Sequence, residues 1–127
     1  MTTTVPRLDA WRLVETGTGN VILIGRVYGR RRAPDGAVVV TSPVERLSDD
    51  LATTRSGSVY RLGAPWPADE ALPEAYRHAI AEKLLLAAGG ALTPSKLAAV
   101  TATAARCCLP GAAAGEEILA RLRRTNA

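Results

Sequence analysis

The sequence predicts an α+β fold: an antiparallel meander of about five strands, forming a sheet or a small open barrel, followed by two to three helices. Three observations lead there. Short β-branched runs fill the first half and are separated by Gly, Pro, Asn and Asp, the residues that turns favour. The composition changes at Pro67, beyond which alanine and other helix formers dominate. Proline and glycine bracket the later runs as helix starts and stops. Residues 1–66 thus read as the β-rich part and 67–127 as the helical part of a single domain, 1–127. Neither half alone would bury an adequate core.

Residues 8 to 15 predict the first strand, with Trp11 and Leu13 on one face. Residues 16 to 20 follow as a turn, their two Gly and one Asn accepting positive φ at little cost. Val21 to Tyr28 is β-branched and nearly all apolar, the signature of a central strand buried on both faces. Pro34-Asp35-Gly36 closes the next loop, and Ala37 to Ser42 forms a third strand that Pro43 stops. Leu51 to Arg55 and Ser58 to Leu62 pair as a hairpin around Ser56-Gly57.

The first helix opens at Pro73, ends before Gly89-Gly90, and carries a core stripe of Leu72, Tyr76, Ala79, Ile80, Leu84 and Ala87. Thr93-Pro94 makes an N-cap and first-turn pair for a second helix running to about Cys107, with Leu97, Val100 and Ala104 inward. Leu109-Pro110-Gly111 breaks it. A third helix, from about Ala113 to Arg124, presents Ile118, Leu119 and Leu122. Its closing Arg121, Arg123 and Arg124 suit a helix C-terminus through the dipole.

At 127 residues, 47% hydrophobic and 22% charged, the chain reads as one globular unit. The net charge of +4 permits an acidic partner without demanding one. Cys107 and Cys108 are adjacent, so they close no useful loop and point to a reducing, cytoplasmic setting. They read as two small buried residues at a helix end. The opening Met1-Thr2-Thr3-Thr4-Val5-Pro6 lacks the basic and apolar regions of a signal peptide. No apolar run is long enough to cross a bilayer.

Catalytic and metal chemistries find no support in the spacing. The lone His78 lies four residues from both Glu74 and Glu82, a helix-surface arrangement. Ser56 and Ser58 sit in no nucleophile elbow. One His and a vicinal Cys pair supply neither the number nor the spacing of ligands for a closed zinc site. Gly25 and Gly29 mark a bulge or a close backbone approach more readily than a phosphate cradle. No cofactor and no metal are expected, and the chain reads as a non-enzyme.

One feature stands out from this background: Arg26, Arg30, Arg31 and Arg32 gather at a hairpin loop. A basic tip of this kind follows a phosphate backbone or anchors on an acidic protein surface. Arg7, Arg12, Arg55 and Arg61 extend the patch if they share its face. Tyr28 is the one stacking surface nearby, whereas single-strand binders carry several aromatics.

The run Gly25-Arg26-Val27-Tyr28-Gly29, with Pro34-Asp35-Gly36, Thr41-Ser42-Pro43-Val44 and then Ser56 to Gly63, resembles small bacterial proteins of the phage and prophage accessory kind. The resemblance covers about the middle third of the chain. It implies a short protein that works by binding something larger, as an inhibitor or regulator, and it carries over no catalytic residue. The expected function is therefore a non-enzymatic macromolecule-binding protein. Its expected partner is another protein, or a second copy docked through alanine-rich helices. The alternative is a nucleic-acid module using the arginine loop.

Overall fold

The computed structural model describes residues 5–17 and 19–124. Thr18, in the first predicted turn, and residues 1–4, on which the signal-peptide reading rests, lie outside the described residues. Six strands precede three helices: β1 (Arg7–Glu15), β2 (Val21–Tyr28), β3 (Ala37–Val40), β4 (Val44–Ser48), β5 (Leu51–Thr54), β6 (Val59–Leu62), α1 (Glu74–Ala88), α2 (Pro94–Cys107) and α3 (Glu116–Arg124). The strands form one open sheet in the order β3-β2-β1-β6-β5-β4. The fold is α+β, strands before helices, as the sequence predicts.

Two details of the sheet differ from a simple five-strand meander. The sixth strand, β4, starts directly after Pro43 and pairs antiparallel with β5. A register shift between Val44 and Arg46 breaks its period-two alternation, which is why the segment does not read as a strand. The second difference is at the centre, where β1 and β6 run parallel, Arg7 beside Arg61 and Leu8 beside Leu62. All other strand pairs are antiparallel.

A bulge in β1 governs which side chains face where. Ala10 takes φ 50, and the register against β2 slips between Asp9 and Arg12. In an unbroken strand Leu8 and Leu13 would point to opposite faces. The extra residue reverses the parity, so both enter the same core, beside Val21, Leu23 and Val27. Gly25 lies across from this bulge. A Cβ there would stand 3.0 Å from both the Asp9 carbonyl oxygen and the Trp11 Cβ, so the close approach anticipated at Gly25 requires a residue without a side chain.

The sheet is covered on both faces. Leu122 of α3, with the half-buried Ile118 and Leu119, packs on the face bearing Leu8, Leu13, Leu23, Val44 and Leu47. Tyr76 and Ile80 of α1 and Ala104 and Cys107 of α2 cover Val14, Ile22 and Ile24 on the other. The second core therefore crosses the composition boundary at Pro67. β2 contributes to both, Val21 and Leu23 to one face and Ile22 and Ile24 to the other, as its continuous apolar run predicts.

The helix boundaries follow the punctuation. Thr93 Oγ1 accepts from the Lys96 amide at 3.1 Å, with Pro94 at the first helical position. Gly89 and Gly90, at φ 61 and 67, turn the chain after α1. α3 begins at Glu116 rather than Ala113, because the Ala114 amide is drawn to the Leu13 carbonyl at 2.7 Å, tying that segment to β1.

Arg12 locks the strands to the helices. It is 2% exposed, and its guanidinium donates to the carbonyls of Pro67 at 3.0 Å, Glu70 at 2.6 Å, Leu109 at 3.0 Å and Cys107 at 3.5 Å. Two of these acceptors close the C-terminal end of α2, where a cation is favoured. Tyr76 adds a second tie, its hydroxyl donating to the Ala10 carbonyl in the bulge at 2.9 Å. Among the described residues no helix is long and apolar enough to cross a membrane.

Candidate functional site

The four arginines of the β2–β3 region separate into two groups. Arg26 points onto the face of β2 that α1 covers. Its Nη1 donates to the Gly36 carbonyl at 2.9 Å, and its guanidinium carbon lies 5.6 Å from the Tyr76 ring centroid. This arginine closes its own hairpin and seats α1, with a cation–π contact as part of the attachment. Arg30, Arg31 and Arg32 are exposed on the loop, and none of their side chains has a partner among the described residues. The loop itself is shaped by Asp35, whose Oδ1 accepts from the Gly29 amide at 3.0 Å.

The wider arginine patch does not assemble. Arg12 is buried, as described above. Arg7 is paired with Asp9 at 3.0 Å and Arg55 with Glu45 at 3.6 Å. Arg7 also covers Tyr28, its guanidinium carbon 5.0 Å from the ring centroid. Tyr28, the aromatic that precedes the loop in sequence, is thereby already stacked.

Residues named for catalysis stand apart. The His78 side chain is 72% exposed and meets Glu74 at 3.7 Å. Ser56 sits elsewhere, accepting from Ser42 at 3.0 Å and lying 3.2 Å from the Thr54 hydroxyl. Among the described residues no group of three His, Cys, Asp or Glu is placed to hold a metal ion. Cys107 and Cys108 are buried free thiols. Burial pushes both thiols up from their ordinary pKa, and Cys107 raises Cys108 further.

The surface that sequence reasoning missed is the far end of the α1–α2 hairpin. At the base of the pair, Tyr76, Ile80, Ala104 and Cys107 are buried. Past Leu84 the α1 stripe runs out of sheet to cover, and residues 86–99 are all exposed. Leu86 is 74% exposed, Leu92 62% and Leu97 45%. Leu97, expected inside, is at the surface because α2 begins beyond the sheet. Between Lys83 and Arg106 the one charged residue is Lys96, and its Nζ donates back to the Gly89 carbonyl at 3.4 Å. That missing charge is the sequence signal that marks this surface.

On one flank of the hairpin, Leu86 faces the edge strand β3. A shallow groove of about 180 Å³ runs between them, lined by Val38, Val40, Ala79 and Leu86 with Glu82 and Lys83 at its lip. A larger apolar cavity of about 280 Å³ lies on the opposite side of the sheet, between Trp11, Trp66, Leu62 and Leu119.

Comparison of the chain with protein-family models, with curated proteins and with solved structures found no match to any of them.

Proposed function

We propose that this chain is a non-enzymatic protein-binding regulator or inhibitor, of the kind its resemblance to phage and mobile-element accessory proteins implies. It docks through the distal end of the α1–α2 hairpin. The observation that carries this reading is the exposure of Leu86, Leu92 and Leu97 on a segment with one charge. Fully burying a leucine side chain is worth about 1.5–3 kcal/mol, so three of them are a substantial unused reserve. Interface centres are depleted of charge in the same way. Free thiols at Cys107 and Cys108 accord with work in a reducing cytoplasm.

The partner is a different protein with an apolar centre bordered by carboxylates. The flank of the hairpin carries Lys83 and, beside it, Arg30, neither of them in an ion pair among the described residues. A second copy would bring the same cations and another net charge of +4 to the contact, which opposes self-association. The test combines light scattering on the purified chain with affinity capture from its host. The account expects a monomer alone, and an acidic protein retained by the native chain but lost with Leu92→Asp/Leu97→Asp. Retention by that variant, or a native dimer that the variant dissociates, overturns it.

A second reading, nucleic-acid binding through the β2–β3 loop, is favoured by one observation: Arg30, Arg31 and Arg32 are exposed and their side chains have no partner among the described residues. It requires affinity that falls by about one log unit per tenfold rise in salt for each phosphate contacted. Fluorescence anisotropy with duplex DNA, single-stranded DNA and RNA, repeated with the three arginines changed to alanine, decides it.

A further inference from the structure

A small polar cleft of about 80 Å³ opens where the end of β3 and the β5–β6 hairpin come together. Arg30 reaches it from the β2–β3 loop and Lys83 from α1, and the wall between them includes Ser42, Ser56, Ser58 and Tyr60. No acidic residue lines it. Neither cation has a partner among the described residues, so two positive charges face a wall of hydroxyls with nothing to neutralise them.

The hydroxyls are held in place by the backbone around them. The Ser56 amide donates to Ser42 Oγ at 3.2 Å, and Ser42 Oγ in turn donates to Ser56 Oγ at 3.0 Å. The Arg55 amide donates to the Pro43 carbonyl at 2.8 Å, fixing the β5–β6 turn against the end of β3. Tyr60 is the most telling member. It is 3% exposed, yet its hydroxyl has no hydrogen-bond partner among the described residues, and it lines the cleft. Among the described residues the buried side-chain polar atom without a hydrogen-bond partner is Arg12 Nε, so the Tyr60 hydroxyl is open to the cleft and available to donate there.

Size narrows the ligand. The cleft is several times the ~10–15 Å³ that one water needs, and well below the ~300 Å³ where pockets for drug-sized molecules begin. Two cations, neutral O–H donors and no carboxylate select an anion with several acceptor oxygens. We propose that this cleft is a binding site for a phosphate group, with Arg30 and Lys83 supplying charge and Tyr60, Ser56 and Ser58 supplying O–H donors. The site shares Arg30 and Lys83 with the flank of the hairpin reading but none of its leucines, so phosphate binding that survives Leu92→Asp/Leu97→Asp is told apart from partner binding that does not.

The same chemistry is available from free phosphate and from a phosphodiester, and the experiment separates them. Inorganic phosphate is titrated into the full chain in phosphate-free buffer, with chloride at matched ionic strength as the control, and binding is read from ³¹P line broadening. Saturable binding is expected, weakened about tenfold or more in Arg30→Gln/Lys83→Gln and several-fold in Tyr60→Phe, with circular dichroism unchanged in both. A short DNA duplex is then added. Displacement of phosphate assigns the site to a phosphodiester, and its absence assigns it to the free anion. Broadening no greater than the chloride control explains, or retained in full by the Arg30→Gln/Lys83→Gln chain, overturns the proposal.

Discussion

The base and the tip of the α1–α2 hairpin are built from much the same residues and have opposite fates. At the base, Tyr76, Ile80, Ala104 and Cys107 lie on Val14, Ile22 and Ile24 of the sheet. At the tip, Leu86, Leu92 and Leu97 remain exposed. Alanine and leucine recur through both, so composition does not explain the difference. Geometry does: α1 leaves the sheet after Leu84, and α2 returns to it only at Ala104. What this teaches is that helical periodicity identifies a face able to be buried, while the extent of the sheet decides how much of that face is buried.

The comparison is broken most strongly at Arg12, the tie beneath the base. Arg12→Ala removes the donor to four carbonyls and is expected to cost about 4 kcal/mol or more, since bonds to a charged group contribute about 1.5–3 kcal/mol each. A urea midpoint near that of the native chain would show the tie to be dispensable. Ile80→Ala, in the same core, should cost about 2–5 kcal/mol through a cavity, and chemical denaturation reads it directly. Thr93→Ala lies in the tip but acts on the helix backbone. It removes the cap bond to Lys96 and is expected to cost about 1 kcal/mol, visible as faster amide exchange in the first turn of α2.

A pH effect at the base is smaller and has a fixed sign. The thiols of Cys107 and Cys108 are raised above their ordinary value of 9.0, by burial first. The folded state therefore holds these protons more tightly than the unfolded state does. Their contribution to stability is complete below about pH 9 and is lost as pH rises through the raised values. Denaturant midpoints at pH 8 and pH 10 should fall less in Cys107→Ala/Cys108→Ala than in the native chain. The smallest effect belongs to the tip: Leu86→Ser, Leu92→Ser and Leu97→Ser should each stay within about 0.5 kcal/mol of the native stability. A large loss from any of them would mean that the tip is packed, and the contrast would disappear.

Local chemistry was legible in the sequence wherever one residue decides the backbone. Thr93-Pro94 marks the start of α2, Gly89-Gly90 the end of α1, and Gly25 the close approach of two strands. β2 was legible as a doubly buried strand because its run is continuous. The parallel β1–β6 contact was not, since pairing between residues so far apart in the chain leaves no local pattern. β4 was hidden by its bulge and by Pro43. Of the candidate site, Arg30, Arg31 and Arg32 were found as exposed arginines. Arg26 and Arg12 were not separable from them, because a guanidinium bound to carbonyls is written with the same letter as one in water. The tip escaped because Leu97 reads as part of the second helix's inner face and Leu86 and Leu92 as part of no face at all, although the absence of charge around them was there to be read.

The central claim is that the bare tip is a docking surface for another protein. The most direct test places a photo-crosslinking amino acid at Leu92 in the native host, with the same probe at the exposed Glu117 of α3 as the reference. The account predicts a discrete adduct from position 92 to an acidic protein, and none from position 117. Equal labelling at both positions, no adduct at 92, or an adduct to a second copy of this chain would contradict it.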